Sequence, residues 1–157
     1  MDEPIQNDYP ALKANYRFTK DDEALLLQMK PHMETFADEF LEGFYEFIWN
    51  FGKTAEFLKD QEVISRHRGK IREWYLDLFK GTYDMPYFLK LYKIGEIHVQ
   101  LGLPTHYVNA AFNYVRVFTL GRIHKHCLES DDLTDKLKAV EKILDINLDV
   151  LTSSYRQ

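Results

Sequence analysis

Three side chains in this sequence could do chemistry together: His98, His67 and Tyr45. His98 lies within Lys90 to Val108, KLYKIGEIHVQLGLPTHYV. Leu91, Ile94, Gly95, His98 and Leu101 fall at i, i+3, i+4, i+7 and i+10, which is one face of an α-helix. An imidazole in an apolar stripe has two readings. It is a core histidine paired with a backbone carbonyl, or it is held in an apolar pocket because something binds it, the iron of haem being the leading candidate. His67 sits on a second such stripe, with Ile64, Ile71, Trp74, Tyr75 and Leu78. Arg66, Arg68 and Lys70 surround it, so a histidine reaching solvent is the competing reading there. The two histidines lie 31 residues apart on consecutive helices joined by a short link, and such helices are neighbours. Their apolar faces can enclose one slot with an imidazole on either wall, and Tyr45, from the preceding helix, can bring a hydroxyl to the far side. A haem needs an axial imidazole, a sparse polar contact opposite and an apolar lining.

Other chemistry finds little support. The sequence has no HExxH, P-loop, GxGxxG or GxSxG. Glu96 and His98 are two residues apart and face different ways on a helix. A di-iron bundle would need Glu-x-x-His on two helices, and the runs starting at Glu23 and Glu62 lack the histidine. His124 and His126 read as solvated residues at a helix end, His32 and His106 as surface residues, and Cys127 as structural.

These residues must be positioned by helices. Sustained period-two alternation and Asn-Gly or Asp-Gly hairpins are absent, so the chain reads as all-α. Residues 1–18 carry Tyr9, Leu12, Tyr16 and Phe18 and form either a short helix packed across the body or a mobile arm. Thr19 caps the next helix, with Asp21, Asp22 and Glu23 in its first turn. Pro31 is expected to break or kink it and to start a second helix running to about Phe51. That helix has an aromatic stripe, Phe36, Phe40, Phe44, Phe47 and Phe51, beside a second of Leu41, Tyr45 and Ile48. Gly43 within it costs about 1 kcal/mol relative to alanine, which implies another backbone crossing close by. The next helix covers roughly Gln61 to Lys80 and stops at Gly81. Asp84 caps the helix of His98, with Pro86 in its first turn, and Gly102 stops it. A long helix follows from Pro104 to about Glu129. Ser130 and Asp131 supply a turn and cap. The last helix, Leu133 onward, presents Leu137, Val140, Ile143, Leu144, Leu148 and Leu151 as a seam that meets either a partner subunit or the core.

Composition narrows the class. The chain has 157 residues, 45% hydrophobic and 15% aromatic, enough for one domain with a large core. A formal net charge of −5 offers no basic excess for nucleic acid. One cysteine excludes an internal disulfide and a thiolate zinc site and fits a reducing compartment. No apolar run reaches the length of a membrane span, and the acidic start lacks a signal-peptide core, so a cytoplasmic location is expected.

The run Ile94-Gly-Glu-Ile-His-Val-Gln-Leu-Gly-Leu-Pro104, followed by Tyr107-Val-Asn-Ala-Ala-Phe112, resembles the proximal signature of globin-coupled sensors, I-G-x-x-H-x-x-x-G-L-P with a tyrosine shortly after. The likeness extends over the whole chain and includes the Phe44-Tyr45 pair and the helix around Trp74. It implies a globin fold, a 3-over-3 helical sandwich variant with an N-terminal extra helix. It also implies one sensor globin domain over 1–157, with 1–18 as an N-terminal extension, and a homodimer formed through the last two long helices. It implies haem b (iron protoporphyrin IX), with His98 as proximal iron ligand and Tyr45 as distal hydrogen-bond donor. His67 would be a distal residue or a sixth ligand, at a place where family members more commonly carry an apolar side chain. Phe44, Ile71, Leu91, Ile94, Leu101 and Tyr107 would line the cofactor. Propionate partners stay open among Lys90, Lys93, Arg68 and Arg72. The implied function is sensing of a diatomic gas (O2, NO or CO) without catalysis, passed to a dimer interface and a downstream signalling domain absent from these residues. The alternatives are a single-domain globin with redox or NO dioxygenase activity using an external reductant, and a structural helical dimerisation module. No flavin or nicotinamide motif accompanies the former.

Overall fold

The computed structural model describes residues 8–156. The order is α1 (Tyr9–Asn15), α2 (Lys20–Ile48), α3 (Thr54–Phe57), α4 (Gln61–Asp77), α5 (Met85–Gln100), α6 (Thr105–His126) and α7 (Leu133–Thr152), closed by a 3₁₀ turn, Ser153–Arg156. No strand occurs among the described residues.

Local chemistry sets most helix ends. Thr19 and Asp22 form a capping box at the start of α2. Asp60 accepts from the Val63 N–H at 2.9 Å to start α4, and Asp84 accepts from the Tyr87 N–H at 3.4 Å to start α5. Gly102, at φ of 74°, takes the left-handed conformation just past the Leu101 C-cap of α5. Helix α4 ends at Asp77 with Leu78 as its C-cap, earlier than the expected Lys80, and Gly81, at φ of 87°, turns the chain three residues later. Pro104 is the N-cap of α6 rather than a residue of its first turn.

Pro31 does not divide α2. The helix runs unbroken through it and ends at Ile48, short of Phe51. The proline withholds the N–H that would meet the Leu27 carbonyl, but Leu27 is exposed, where water can take the place of that bond. Leu26, Met29, Met33, Ala37 and Phe40 are buried on both sides of the proline, so tertiary packing overrides the local break.

Of the two expectations for the N-terminal stretch, α1 follows the packed one. Tyr9 stacks on Phe88 with centroids 4.4 Å apart, and Lys13 donates to the Tyr83 carbonyl at 2.8 Å while pairing with Glu23 at 2.9 Å. Residues 1–7 of that stretch lie outside the described residues.

Helix α7 is the hub, packed against α2, α5 and α6. Val140, Ile143, Leu144, Ile146, Val150 and Leu151 are all buried within the chain. The aliphatic seam is therefore largely core, with Leu133, Leu137 and Leu148 half-buried at its margins. Subunit contact would have to use the remaining outer faces.

Two glycines mark close approaches. An alanine Cβ at Gly95 would stand 2.1 Å from the Leu151 carbonyl oxygen, so α5 and α7 touch backbone to backbone there. At Gly43 the expected backbone crossing is not what is found. The Tyr114 hydroxyl occupies the space of the Cβ, at 2.1 Å, and donates to the Phe40 carbonyl at 3.1 Å. A side chain from α6, not a main chain, fills the space that glycine leaves.

Candidate functional site

The site is bounded by α4 and α5, with the C-terminal half of α2 beside α4. His98 lies in the last full turn of α5, on the same face as Ile94 one turn earlier. Its Nδ1 is 2.7 Å from the Ile94 carbonyl oxygen. A carbonyl only accepts, so Nδ1 carries the hydrogen and Nε2 is left with a bare lone pair directed away from its own helix. Burial lowers the pKa of His98, opposed by that carbonyl bond, so the ring is neutral at pH 7. A neutral imidazole with a fixed tautomer is the form that binds a metal.

His67 lies on α4. Its Nδ1 is 2.5 Å from the Tyr45 hydroxyl, which α2 delivers one turn before its end. His67 is half-buried rather than fully solvated, with Tyr45 as its partner. Burial is the main cause pushing its pKa down to about 4, with the charges of His98 and Lys70 acting in the same direction. Tyr45 is buried, and its pKa is pushed up to about 12 by burial, against the nearby Arg68 guanidinium, 5.9 Å from the ring centroid. The phenol thus remains a hydrogen-bond donor. Among the described residues no cluster of three His, Cys, Asp or Glu could hold a bare metal ion.

The expected lining residues divide. Phe44 is buried and packs edge-on against Tyr45, centroids 5.7 Å apart. Ile71 is half-buried one turn beyond His67, and Ile94 is half-buried beside His98. Leu91 is buried in the core at 2% exposure, whereas Leu101, the C-cap of α5, is 48% exposed. Tyr107 is turned towards the loop before α3. Its ring lies 4.7 Å from that of Phe51, and its hydroxyl accepts from the Lys53 N–H at 3.1 Å. Of the basic residues, Lys90 pairs with Glu73 and Asp77, and Arg72 with Asp38.

Sequence reasoning missed three supports of the site. The Ile94 carbonyl carries no sequence signal, because any residue supplies one. The contact at Gly95 was signalled by a glycine inside a helix. Asn147 was signalled as a lone amide in the aliphatic run of α7. It is fully buried, accepting from Trp74 Nε1–H at 3.0 Å and donating to the Tyr87 hydroxyl at 2.9 Å.

Comparison with known proteins identifies the family. The profile of the Protoglobin family matches residues 7–157. The chain is 31% identical over 101 residues, 63% of its length, to a protein of Halobacterium salinarum described as the heme-based aerotactic transducer HemAT, and spans 20% of that protein. It superposes on the globin domain of a Geobacter sulfurreducens globin-coupled sensor with a TM-score of 0.90 and 42% identity, covering 95% of this chain and 98% of that one. The all-α architecture is therefore a globin fold, and the chain belongs to the Protoglobin family.

Proposed function

We propose that the chain is a haem-based gas-sensing domain that binds haem b between the α4 and α5 walls, with His98 as the proximal iron ligand. The observation that carries this reading is the His98 Nδ1–H bond to the Ile94 carbonyl at 2.7 Å, which presents a neutral Nε2 with a free lone pair. The donor set suits haem. It offers one oriented imidazole, a second imidazole and a phenol opposite, and no cluster of acidic ligands. Haem, held by His98, would supply an iron able to bind a diatomic gas, O2, NO or CO.

Tyr45 and His67 act as one unit. With the phenol donating to Nδ1, the imidazole hydrogen sits on Nε2 and His67 is a donor to the gas. With Nδ1–H donating to the phenol, Nε2 is bare and His67 could itself bind the iron. Phe44 and Ile71 exclude water around the pair. Because α5 contacts α7 at Gly95 and Leu151, movement of His98 is delivered to the helix at the end of the domain. We read the domain as a sensor without catalysis of its own, coupled to an output module. The relative described as an aerotactic transducer supports that reading. We also assign a homodimer, formed through the outer faces of α6 and α7, where Val117 stands exposed.

A visible absorption spectrum of the haem-loaded protein, ferric and then dithionite-reduced, tests the reading. A Soret band is expected. Sharp split visible bands in the reduced state would place His67 on the iron, and one broad band would leave it as a distal donor. No Soret band after added haem would refute the proposal.

A further inference from the structure

The two walls of the histidine slot belong to different packing pairs: α4 rests chiefly on α2, and α5 on α7. Something must hold them at a fixed opening. The direct tie is Lys90 with Glu73 and Asp77, which is exposed and screened by water. The buried tie is Asn147. Its Oδ1 accepts from Trp74 on α4 at 3.0 Å, and its Nδ2 donates to the Tyr87 hydroxyl on α5 at 2.9 Å and to the Ile143 carbonyl at 2.9 Å. Both amide hydrogens and the oxygen are thus engaged; the bonds to Tyr87 and Ile143 are buried, where each counts for more than at the surface, and the bond to Trp74 is part-buried. Among the described residues, no other side-chain hydrogen bond or ion pair joins α7 to α4 or α5.

The spacing gives these bonds leverage. Trp74 is two turns beyond His67 on α4, and Tyr87 is three turns before His98 on α5, so each shares a face with its histidine. At 1.5 Å per residue the histidines lie about 10 Å and about 16 Å from the clamp along their helices. A small change at the clamp becomes a larger one at the imidazoles.

We propose that Asn147 is a positioning residue for the histidine slot: its side-chain amide, bonded to Trp74 and Tyr87, sets the opening between α4 and α5. The link to gas binding rests on the haem reading above; the geometric claim does not. Spin labels at Ser65→Cys on α4 and Gln100→Cys on α5, both exposed positions, in a Cys127→Ser background, read the opening directly by pulsed electron resonance. Asn147→Leu is expected to displace or broaden the distance distribution in the folded apoprotein, and Trp74→Phe and Tyr87→Phe to do so to a smaller extent in the same sense. In haem-loaded protein the same variants are expected to change the rate of carbon monoxide recombination after photolysis. A distribution superimposable on the parent's in folded Asn147→Leu, with only a lower Tm, would overturn the proposal. If Asn147→Leu does not fold, the two aromatic variants decide by the same criterion. A displaced distribution with unaltered recombination would also overturn the positioning role. A displaced distribution in a protein that takes no haem would sustain the clamp and refute the haem reading instead.

Discussion

Replacing Gly95 with alanine perturbs the site through its scaffold without touching a ligand-binding atom. The added Cβ would lie 2.1 Å from the Leu151 carbonyl oxygen, 3.0 Å from its carbon and 3.3 Å from its Cα. Ordinary contact begins near 3.4 Å, so α5 and α7 must part by about 1.3 Å locally. Every obstructing atom is main chain, so no rotamer change relieves the clash. Alanine gains about 1 kcal/mol of helix propensity over glycine, while overpacking of this kind costs about 1–3 kcal/mol. The net expectation is a loss of about 1 kcal/mol, which lowers Tm by about 2–4 °C for a domain of this size. Because His98 is less than one turn away, the imidazole moves with the helix and the Soret band of the haem-loaded variant should shift or weaken. Gly43→Ala is the internal control. There the obstacle is the tip of the Tyr114 side chain, which can swing aside. The variant loses one bond worth about 1 kcal/mol and regains about as much in propensity, so its Tm should stay near the parent's. Thermal unfolding and spectra of both variants test the comparison. A Gly95→Ala protein that melts at or above the parent with an unchanged spectrum would refute the argument.

Two further outcomes follow from the same structure. The folded protein holds His67 at a pKa of about 4 against the usual 6.5, so folding favours the neutral ring. Apoprotein stability is fully present above pH 6.5 and should fall as pH drops towards 4, by about 3 kcal/mol at most. Denaturant melts of the parent and His67→Leu across that range test it, the variant losing less. Val117, 64% exposed on α6, lies on the face assigned to subunit contact. Val117→Glu should convert a dimer to a monomer on size-exclusion chromatography with little change in Tm, and an unchanged elution volume would contradict that assignment.

How much of this was legible in the sequence depends on the range of the interaction that decides each feature. The caps at Thr19 and Asp84 and the stop at Gly102 are local chemistry, visible in neighbouring residues. The apolar stripes of α4 and α5 gave the placement of His67 and His98, because helical periodicity alone puts them there. Pro31 misled because its local cost is outweighed by buried residues on either side, and that burial is set by the whole fold. His67 read as wet because its sequence neighbours are basic, yet Tyr45, 22 residues earlier, supplies its hydrogen-bond partner, and Arg68 turns its guanidinium to the Tyr45 ring. The leucine seam of α7 could not reveal which partner covers it, since core and interface use the same side chains. The family signature around His98 carried the site further than spacing could.

The most direct test of the central claim is haem retention by His98→Gly, with and without free imidazole. The account predicts that the variant loses haem or its normal spectrum, and that imidazole, entering the space left by the side chain, restores much of both. A His98→Gly protein that keeps full haem with an unaltered spectrum and no response to imidazole would show that the proximal ligand lies elsewhere.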